Sequence, residues 1–306
     1  MITSVAAIEV RGLKKNYGDI AAVRDVDLIV ETGEILAFLG PNGAGKTTTI
    51  EILEGFRNRT AGEVQVLGED PQRASRAWRE RIGVVLQESE PDGDLTALET
   101  LELYAAYYRN PRVPGEVLEL VGLGSHGDQR TDKLSGGQQR RLDLALALIG
   151  NPELVFLDEP TTGFDPSARR ESWEMIENLR SLGVTVLLTT HYMDEAQQLS
   201  DRIAVIADGV IAARGTASEL ADEVSLHTKI SWDTADLTRA DLPGRLAELA
   251  SVHVVEDVER LLIETEDVTG TLRELLAAAD TLPSLAVQPP TLEDTFLRLI
   301  ERTAAP

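Results

Sequence analysis

Short apolar segments alternate with helical patterns along the first 220 residues of the chain. Five of these segments are continuous runs rich in Val, Ile and Leu, a pattern typical of strands that are covered on both faces. They are EILAFLG, RIGVVLQ, ELVFLDE, VTVLLTT and RIAVIADG, at residues 34–40, 81–87, 153–159, 184–190 and 202–209. Strands that alternate with helices favour a parallel sheet with crossover helices. We therefore expect residues 1–220 to form an α/β domain.

Residues 91–150 interrupt this alternation, because their pattern is mostly helical. Thr96 and Glu99 have the spacing of a capping box, which predicts the start of a helix. Ser135 and Gln138 have the same spacing at the start of a second, apolar helix. A helical subdomain inserted into the α/β core is the simplest interpretation.

The order of predicted elements changes to β-α-β-β-α-β in the last part of the chain. A strand, a helix, a hairpin, a helix and a strand are predicted at residues 226–232, 241–250, 252–266, 268–280 and 284–288. This order resembles a ferredoxin-like module, and a terminal helix follows it. We therefore expect a small α+β accessory domain at residues 221–306.

The composition excludes several classes of protein. Hydrophobic residues make up 42% of the 306 residues, which is enough for a sizeable core. No run of 18 apolar residues is present, so we expect no membrane-spanning helix, and the first residues lack the order of a signal peptide. The absence of cysteine excludes disulfides and thiolate metal sites and favours a cytosolic protein.

The charge argues against nucleic acid as a partner. The net charge is -23, and residues 221–306 contain 17 acidic and 7 basic side chains. An acidic surface repels the phosphate backbone. Because the acidic residues are spread along the chain, we interpret them as a solubility feature.

The segment GPNGAGKTT, at residues 40–48, fits the pattern G-x-x-x-x-G-K-[ST] between a predicted strand and a predicted helix. Its glycines let backbone N–H groups surround a phosphate chain. Lys46 supplies a positive charge to the β- and γ-phosphates, and the Thr47 hydroxyl can bind Mg²⁺. The predicted nucleotide site consists of Gly40, Pro41, Asn42, Gly43, Ala44, Gly45, Lys46, Thr47 and Thr48.

Two carboxylates follow the apolar run of the segment LVFLDEP. Asp158 and Glu159 lie at the carboxyl end of a predicted strand, where ligands bind in open α/β sheets. Asp158 is placed to hold Mg²⁺ directly or through water, and Glu159 can accept a proton from an attacking water. A solvated acidic turn is the alternative interpretation, and the glycine loop elsewhere in the chain favours the catalytic one.

The segment LSGGQ, at residues 134–138, begins a helix with two consecutive glycines. Gly136 and Gly137 each cost about 1 kcal/mol relative to alanine in a helix. The capping box accounts for Ser135 and Gln138 but leaves the glycines unexplained. Glycine at a helix start exposes backbone N–H groups, which bind anions. We therefore expect a second anion-binding site here.

LSGGQ is also the signature motif of the ATP-binding-cassette ATPases, and the chain resembles this family in motif order across residues 8–220. The resemblance implies a P-loop NTPase core that binds ATP and Mg²⁺. It implies that Tyr17 stacks on adenine, that Gln87 reaches Mg²⁺ and the attacking water, and that His191 lies near the γ-phosphate. We accordingly assign Glu159, His191 and Gln87 as catalytic, and Thr47, Gln87 and Asp158 as metal ligands.

The same resemblance implies that two cassettes stack head to tail. Ser135 and Gly137 of one copy would then contact the γ-phosphate held by the other, so a homodimer is expected. Asp165 in the segment GFDP matches the aspartate of the family's D-loop, where Phe164 replaces the usual leucine.

Because no membrane span is expected, the resemblance implies a separate permease as partner. Residues 88–99 and the helical insertion would receive a short helix from it. The tail PPTLEDTFLRLIER, at residues 289–302, resembles export cassettes of the daunorubicin-resistance type, whose partners are ABC-2-type permeases. This implies a peripheral protein at the cytoplasmic face of the membrane that drives export of a drug or lipid-like substrate.

Some alternatives stay open at this point. An importer ATPase whose module at residues 226–288 is regulatory is one alternative to the exporter, and a non-transport cassette that acts on ribosomes or DNA is another. An apolar stripe in the last helix is expected either to pack within its own domain or to contact the partner subunit. Its members are Leu292, Phe296, Leu297, Leu299 and Ile300.

Overall fold

The structure is a computed structural model that describes residues 6–85, 93–224, 227–233, 242, 244, 246, 250–255, 258–278 and 282–304. The chain divides into two units. One consists of Met1–Ala217 with Leu299–Pro306, and the other of Ser218–Arg298. Within the described ranges, no helix combines the length and apolar character that a membrane crossing requires.

The described part of the first unit is built on a nine-stranded sheet. Its strands are β1 (Ala6–Tyr17), β2 (Ile20–Glu31), β3 (Ile35–Leu39), β4 (Ala61–Val66), β5 (Ile82–Val85), β6 (Leu154–Asp158), β7 (Thr185–Thr189), β8 (Arg202–Ala207) and β9 (Val210–Gly215). Their order across the sheet is β4-β1-β2-β9-β8-β3-β7-β6-β5. The helices of this unit are α1 (Lys46–Leu53), α2 (Arg76–Arg79), α3 (Ala97–Ala105), α4 (Pro114–Leu120), α5 (Gly136–Leu148), α6 (Pro166–Ser181) and α7 (Met193–Leu199).

The predicted α/β class is confirmed, but the expectation of a parallel sheet is wrong for part of it. β3, β5, β6, β7 and β8 correspond to the five predicted runs, and they pair in parallel. In contrast, β1 pairs antiparallel with β2 and β4, and β8 pairs antiparallel with β9. Much of β1, β2 and β4 alternates between buried and exposed positions. Such strands contain no continuous apolar run, so a search for runs does not find them.

One apolar core joins the sheet to the first helix. Phe38 and Phe156 of the central strands share a cluster of buried side chains with Ile52 and Leu53 of α1. Trp78 is fully buried in the same cluster, and its indole N–H donates to the Val66 carbonyl at 2.8 Å. Because α1 is anchored in this core, the loop that precedes it has a fixed position on the sheet.

The helical region follows its predicted boundaries at both capping boxes. The Thr96 hydroxyl accepts from the Glu99 amide at 3.2 Å, and the Glu99 carboxylate accepts from the Thr96 amide at 2.8 Å. α5 begins in the same way at Ser135. α3, α4 and α5 pack against one another, and each has buried apolar side chains, among them Leu101, Val117 and Leu142.

In the second unit, the described residues form a four-stranded antiparallel sheet. It contains β10 (Thr228–Asp233), β11 (Ala250–Val255), β12 (Val258–Thr265) and β13 (Ala286–Gln288), in the order β11-β12-β10-β13. α9 (Val268–Ala278) belongs to this unit, whereas α8 (Ala217–Glu223) and α10 (Leu292–Ala304) each include residues of both units. The predicted helix at 241–250 lies mostly outside the described residues, so the ferredoxin-like assignment stays a prediction.

The second unit has an apolar core of its own. One cluster of fully buried side chains contains Ile230, Trp232, Leu261 and Leu275. Of the apolar stripe predicted in the terminal helix, Leu292 and Leu299 are buried, whereas Leu297 is 54% exposed.

Two adjacent leucines of α9 provide a matched test of this core, because Leu275 is buried and Leu276 is 57% exposed. We expect Leu275→Ala to lower the free energy of unfolding by about 2–5 kcal/mol through loss of apolar contacts and cavity formation. Leu276→Ala is expected to change it by less than about 0.5 kcal/mol. Hydrogen exchange of the β12 amides measures both effects in the full chain, and equal effects would contradict the assigned core.

Candidate functional site

The loop between β3 and α1 passes so close to neighbouring backbone that two of its positions have no room for a side chain. Gly45 caps α1 with φ of +105°, and a Cβ there would lie 2.6 Å from the Ala22 carbonyl oxygen. A Cβ at Gly40 would lie 2.3 Å from the Ile206 carbonyl oxygen. Both distances are far below van der Waals contact, so glycine is required at both positions. The loop therefore presents bare backbone at the start of a helix, which is an anion-binding arrangement.

Lys46 lies across this loop. Its Nζ donates to the carbonyl oxygens of Gly40 at 2.6 Å and Pro41 at 3.1 Å. Burial lowers the pKa of Lys46, while the negative charges of Glu159 and Asp158 act in the opposite direction. The ammonium group is therefore within electrostatic reach of both carboxylates.

The other residues of the predicted loop differ in their exposure to solvent, and the exposed ones are accessible to a phosphate chain. Asn42, Gly43 and Thr47 are exposed, and Thr48 is half-buried. Ala44 is buried, and its carbonyl accepts from the Gly209 amide at 3.0 Å, which anchors the loop to the turn after β8.

Asp158 and Glu159 lie at the carboxyl end of β6, as predicted. The Thr189 hydroxyl donates to Asp158 Oδ1 at 2.5 Å, and the Glu159 amide donates to the Thr189 carbonyl at 3.1 Å. Glu159 has φ of +48°, in the left-handed region that non-glycine residues rarely adopt. The hydrogen bonds to Thr189 of the neighbouring strand hold this turn in place.

Glu159 is brought close to His191. His191 Nδ1 lies 3.5 Å from Glu159 Oε2, and the Thr162 hydroxyl donates to the same oxygen at 3.1 Å. The histidine is half-exposed and the carboxylate is more buried. Thus the predicted base and the predicted γ-phosphate contact are neighbours beyond the ends of β6 and β7.

Sequence reasoning missed Arg140, which ties the signature helix to this turn. Its guanidinium donates to the carbonyl oxygens of Asp158 at 2.9 Å and Glu159 at 3.2 Å. Burial lowers its pKa, against the attraction of nearby carboxylates. Its neighbour Arg141 instead bonds to Glu171. Nothing in the string QQRR indicates which arginine turns inward, so the sequence carried no signal for this role.

The signature segment forms the predicted capping box. The Gln138 amide donates to the Ser135 hydroxyl at 3.3 Å, and the Ser135 amide donates to Gln138 Oε1 at 2.9 Å. A Cβ at Gly136 or Gly137 would meet nothing within 4 Å among the described residues. The packing of the described residues therefore gives no reason for either glycine.

Asp165 is a helix cap in the single chain. Its Oδ1 accepts from the amides of Ser167 at 2.8 Å and Ala168 at 3.0 Å at the start of α6. These backbone hydrogen bonds lower its pKa. The side chain is accessible to solvent, as is the turn that precedes it.

Tyr17 is a half-exposed aromatic ring next to the phosphate loop. Its hydroxyl lies 3.5 Å from the Thr48 hydroxyl. Lys15 Nζ and Arg57 Cζ lie 5.0 Å and 5.4 Å from the ring centroid. Gln87 and residues 88–92 lie outside the described residues.

Comparisons with known proteins identify the family of the chain. A family model described as ABC transporter matches residues 23–162. The chain is 39% identical to a daunorubicin resistance ATP-binding protein of Streptomyces coeruleorubidus, over 96% of this chain and 95% of that protein. It is 37% identical to a Nod factor export ATP-binding protein I of Burkholderia orbicola, over 98% of each chain.

Solved structures give the same result. The ATP-binding subunit of an ABC transporter matches with a TM-score of 0.65 and 25% identity, over 72% of this chain and 93% of that chain. A dimeric ATP-binding cassette in a post-hydrolysis state, bound to ADP and phosphate, matches with a TM-score of 0.61 and 28% identity. That match covers 68% of this chain and 98% of the cassette.

Fold, site and comparisons together define a P-loop ATPase of the ATP-binding-cassette class. The chain belongs to the ABC transporter family, as an ATP-binding and ATP-hydrolysing subunit homologous to export-type cassettes. The predicted family, core fold and ATPase activity are confirmed.

The close contact at Gly45 generates a test of the phosphate loop. We expect Gly45→Ala to lower ATP affinity at least about tenfold, because its Cβ would displace the loop from the Ala22 carbonyl. Gly33→Ala is the control: Gly33 also has positive φ, of +80°, but a Cβ there meets nothing within 4 Å. Binding of a fluorescent ATP analogue measures both, and equal affinities would refute the requirement for glycine at Gly45.

Proposed function

We propose that this chain is half of a Mg²⁺-dependent ATPase dimer that drives a separate ABC-2-type permease in export. The observation that supports this proposal is the structure of the signature segment at residues 134–138. Gly136 and Gly137 begin a capped helix and are not required by the described packing of their own chain. An anion-binding helix start without a ligand in its own chain suits a phosphate that a second copy holds.

The loop geometry supports the proposed nucleotide contacts. The amides of the phosphate loop and the Lys46 ammonium bind the β- and γ-phosphates, and Tyr17 stacks on the adenine. Lys46 must exchange its two carbonyl acceptors for phosphate oxygens, which are stronger acceptors because they are charged. Residues 1–220 are the proposed nucleotide-binding domain, with its helical subdomain at about residues 91–150, and residues 221–306 are the proposed accessory domain.

The donor set at the strand ends fits Mg²⁺. Asp158 Oδ2 accepts no hydrogen bond from the described residues, and the Thr47 hydroxyl is exposed. Oxygen ligands of this kind suit Mg²⁺, which is held in nucleotide sites by few protein groups. Thr47, Asp158 and Gln87 would hold the ion, which when bound neutralises charge on the phosphates.

Glu159 is the proposed general base. Its Oε2 faces His191 and accepts from Thr162, and the strained turn fixes its backbone. From this position the carboxylate can accept the proton of an attacking water, while His191 contacts the γ-phosphate. Ser135 and Gly137 of the second copy would complete the site, next to Asp165 of the D-loop.

The relatives support export as the coupled process. The proteins named for daunorubicin resistance and Nod factor export match over nearly the whole of both chains. Because one relative is named for resistance to a drug and the other for export of Nod factor, we infer a drug or lipid-like cargo as the substrate class. The chain would act at the cytoplasmic face of the membrane, with residues 88–99 and the helical subdomain receiving the permease.

Replacing the proposed base tests the hydrolytic step. We expect Glu159→Gln to retain ATP binding and to lower turnover by about 100-fold or more, because an amide cannot accept the proton. The ATP-bound dimer should then accumulate, as measured by light scattering. His191→Ala should lower turnover less completely. Turnover near the wild-type rate in Glu159→Gln would contradict the assignment.

Mixing two inactive variants tests the shared sites. Lys46→Ala removes the phosphate contact, and Gly137→Arg blocks the signature segment, so each homodimer should be inactive. A mixed dimer contains one site with both motifs intact. We expect about a quarter of the wild-type ATPase rate in an equal mixture, since half of the dimers are mixed and each has one of two sites. Activity of Gly137→Arg alone, or none in the mixture, would show that the sites are not shared.

A further inference from the structure

Two side chains outside the proposed ATP contacts connect His191 to the helix α6. Tyr192 follows His191 directly, and the centroids of the two rings lie 4.0 Å apart at an interplanar angle of 41°. The guanidinium of Arg169 lies over the Tyr192 ring, with its Cζ 3.8 Å from the ring centroid. Arg169 belongs to α6, whose cap residue is Asp165. Thus α6 reaches His191 through two successive side-chain contacts.

The ring of Tyr192 is the contact that best accounts for the position of Arg169. Among the described residues, the buried Nε of Arg169 has no hydrogen-bond partner. Its Nη1 lies 3.5 Å from Asp194 Oδ2, but the Asp194 side chain is 60% exposed, and such an ion pair contributes little. The planar face of arginine stacks favourably on an aromatic ring, and more so where water is excluded. The Arg169 side chain is 19% exposed, so this contact is largely shielded.

The backbone that carries Tyr192 is anchored independently of Arg169. The Tyr192 amide donates to the Thr190 hydroxyl at 2.9 Å. One turn further, the fully buried Glu195 accepts from the Thr161 hydroxyl at 2.8 Å and the Trp173 indole N–H at 3.1 Å. These hydrogen bonds attach the start of α7 to the turn after Glu159 and to α6. Loss of the Arg169 side chain should therefore release the Tyr192 ring without displacing the backbone.

His191 needs such support, because its other neighbour holds it loosely. The 3.5 Å between His191 Nδ1 and Glu159 Oε2 is longer than a normal hydrogen bond, and the imidazole is half-exposed. A group that contacts the reacting phosphate must be held close to one orientation, since small displacements cost rate. Stacking on Tyr192 supplies the missing constraint.

We propose that Arg169 is a positioning residue of the ATPase reaction, which fixes the ring of Tyr192 and through it the imidazole of His191. This rests on the proposed function, in which His191 contacts the γ-phosphate. Neither Arg169 nor Tyr192 belongs to the proposed nucleotide contacts, so the pair acts on turnover and leaves ATP affinity unchanged.

Steady-state ATPase kinetics of the full chain test the role of the pair. We expect Arg169→Met to lower kcat by about fivefold with KM for ATP unchanged within about twofold. Tyr192→Leu should do the same, and the double variant should be no slower than the slower single variant, because both changes remove one contact. Tyr192→Phe retains the ring and should resemble the wild type. Arg169→Lys keeps the charge but lacks the planar face, so its kcat should be intermediate.

Arg180 provides the matched control for a merely structural role. It also joins α6 to α7, because it donates to the Leu199 carbonyl at 3.1 Å and pairs with Asp201 at 3.0 Å, at the end away from His191. We expect Arg180→Met to keep the wild-type kcat, and Asp194→Asn to keep it as well. An equal loss in Arg180→Met would show that only the packing of α6 on α7 matters. An equal loss in Asp194→Asn would assign the effect to the ion pair, and either result would overturn the proposal.

The nuclear magnetic resonance signal of the His191 ring gives a second measurement, assigned by its disappearance in His191→Ala. We expect the signal to move in Arg169→Met and Tyr192→Leu, because the ring contact changes, and to stay in place in Arg180→Met. An unmoved signal in Arg169→Met would refute the positioning role.

Two failures are distinguishable. If His191→Ala turns over ATP at the wild-type rate, the proposed role of His191 is wrong and the inference falls with it. If His191→Ala is slow and Arg169→Met has the wild-type kcat, the positioning role of Arg169 alone is refuted.

Discussion

The register of three parallel strands is the constraint on which the proposed catalytic site depends. Asp158 of β6 pairs with Thr189 of β7, and Thr189 pairs with Phe38 of β3. The phosphate loop, the two carboxylates and His191 all follow these paired positions within a few residues. A shift of one residue would turn each side chain to the opposite face of the sheet. The side chains of this paired position also contact each other, because the Thr189 hydroxyl donates a hydrogen bond to the Asp158 carboxylate.

The helices α1 and α5 connect this edge of the sheet to other parts of the same unit. α1 is anchored by Ile52 and Leu53 in the core, and α5 is tied to the catalytic turn by Arg140. The start of each helix presents glycine and free amides. A force on the body of either helix would therefore act on one of the two proposed anion sites, because a short helix anchored in a close-packed core moves as a unit.

The sequence predicted those features that depend on local chemistry. Continuous apolar runs identify the central strands, and the capping boxes identify the starts of α3 and α5. It did not predict β1, β2 and β4, since their alternating pattern is weak and their pairing is long-range. The sequence also did not indicate which of Glu51 and Glu54, both near the end of α1, is buried. Only tertiary packing decides that one is buried and the other pairs with Arg57.

The backbone at Glu159 shows how the proposed general base is held in a strained turn. A left-handed residue costs of order 1–2 kcal/mol, and a glycine or asparagine would remove most of that cost. Neither side chain can accept a proton as a carboxylate can, so the chemistry and the backbone preference conflict at this position. The Glu159 amide donates a hydrogen bond to the Thr189 carbonyl, and the Glu159 carbonyl accepts one from the Arg140 guanidinium, so the backbone groups of the turn are satisfied. The carboxylate is left with a hydroxyl and an imidazole as neighbours, and it remains available to an attacking water.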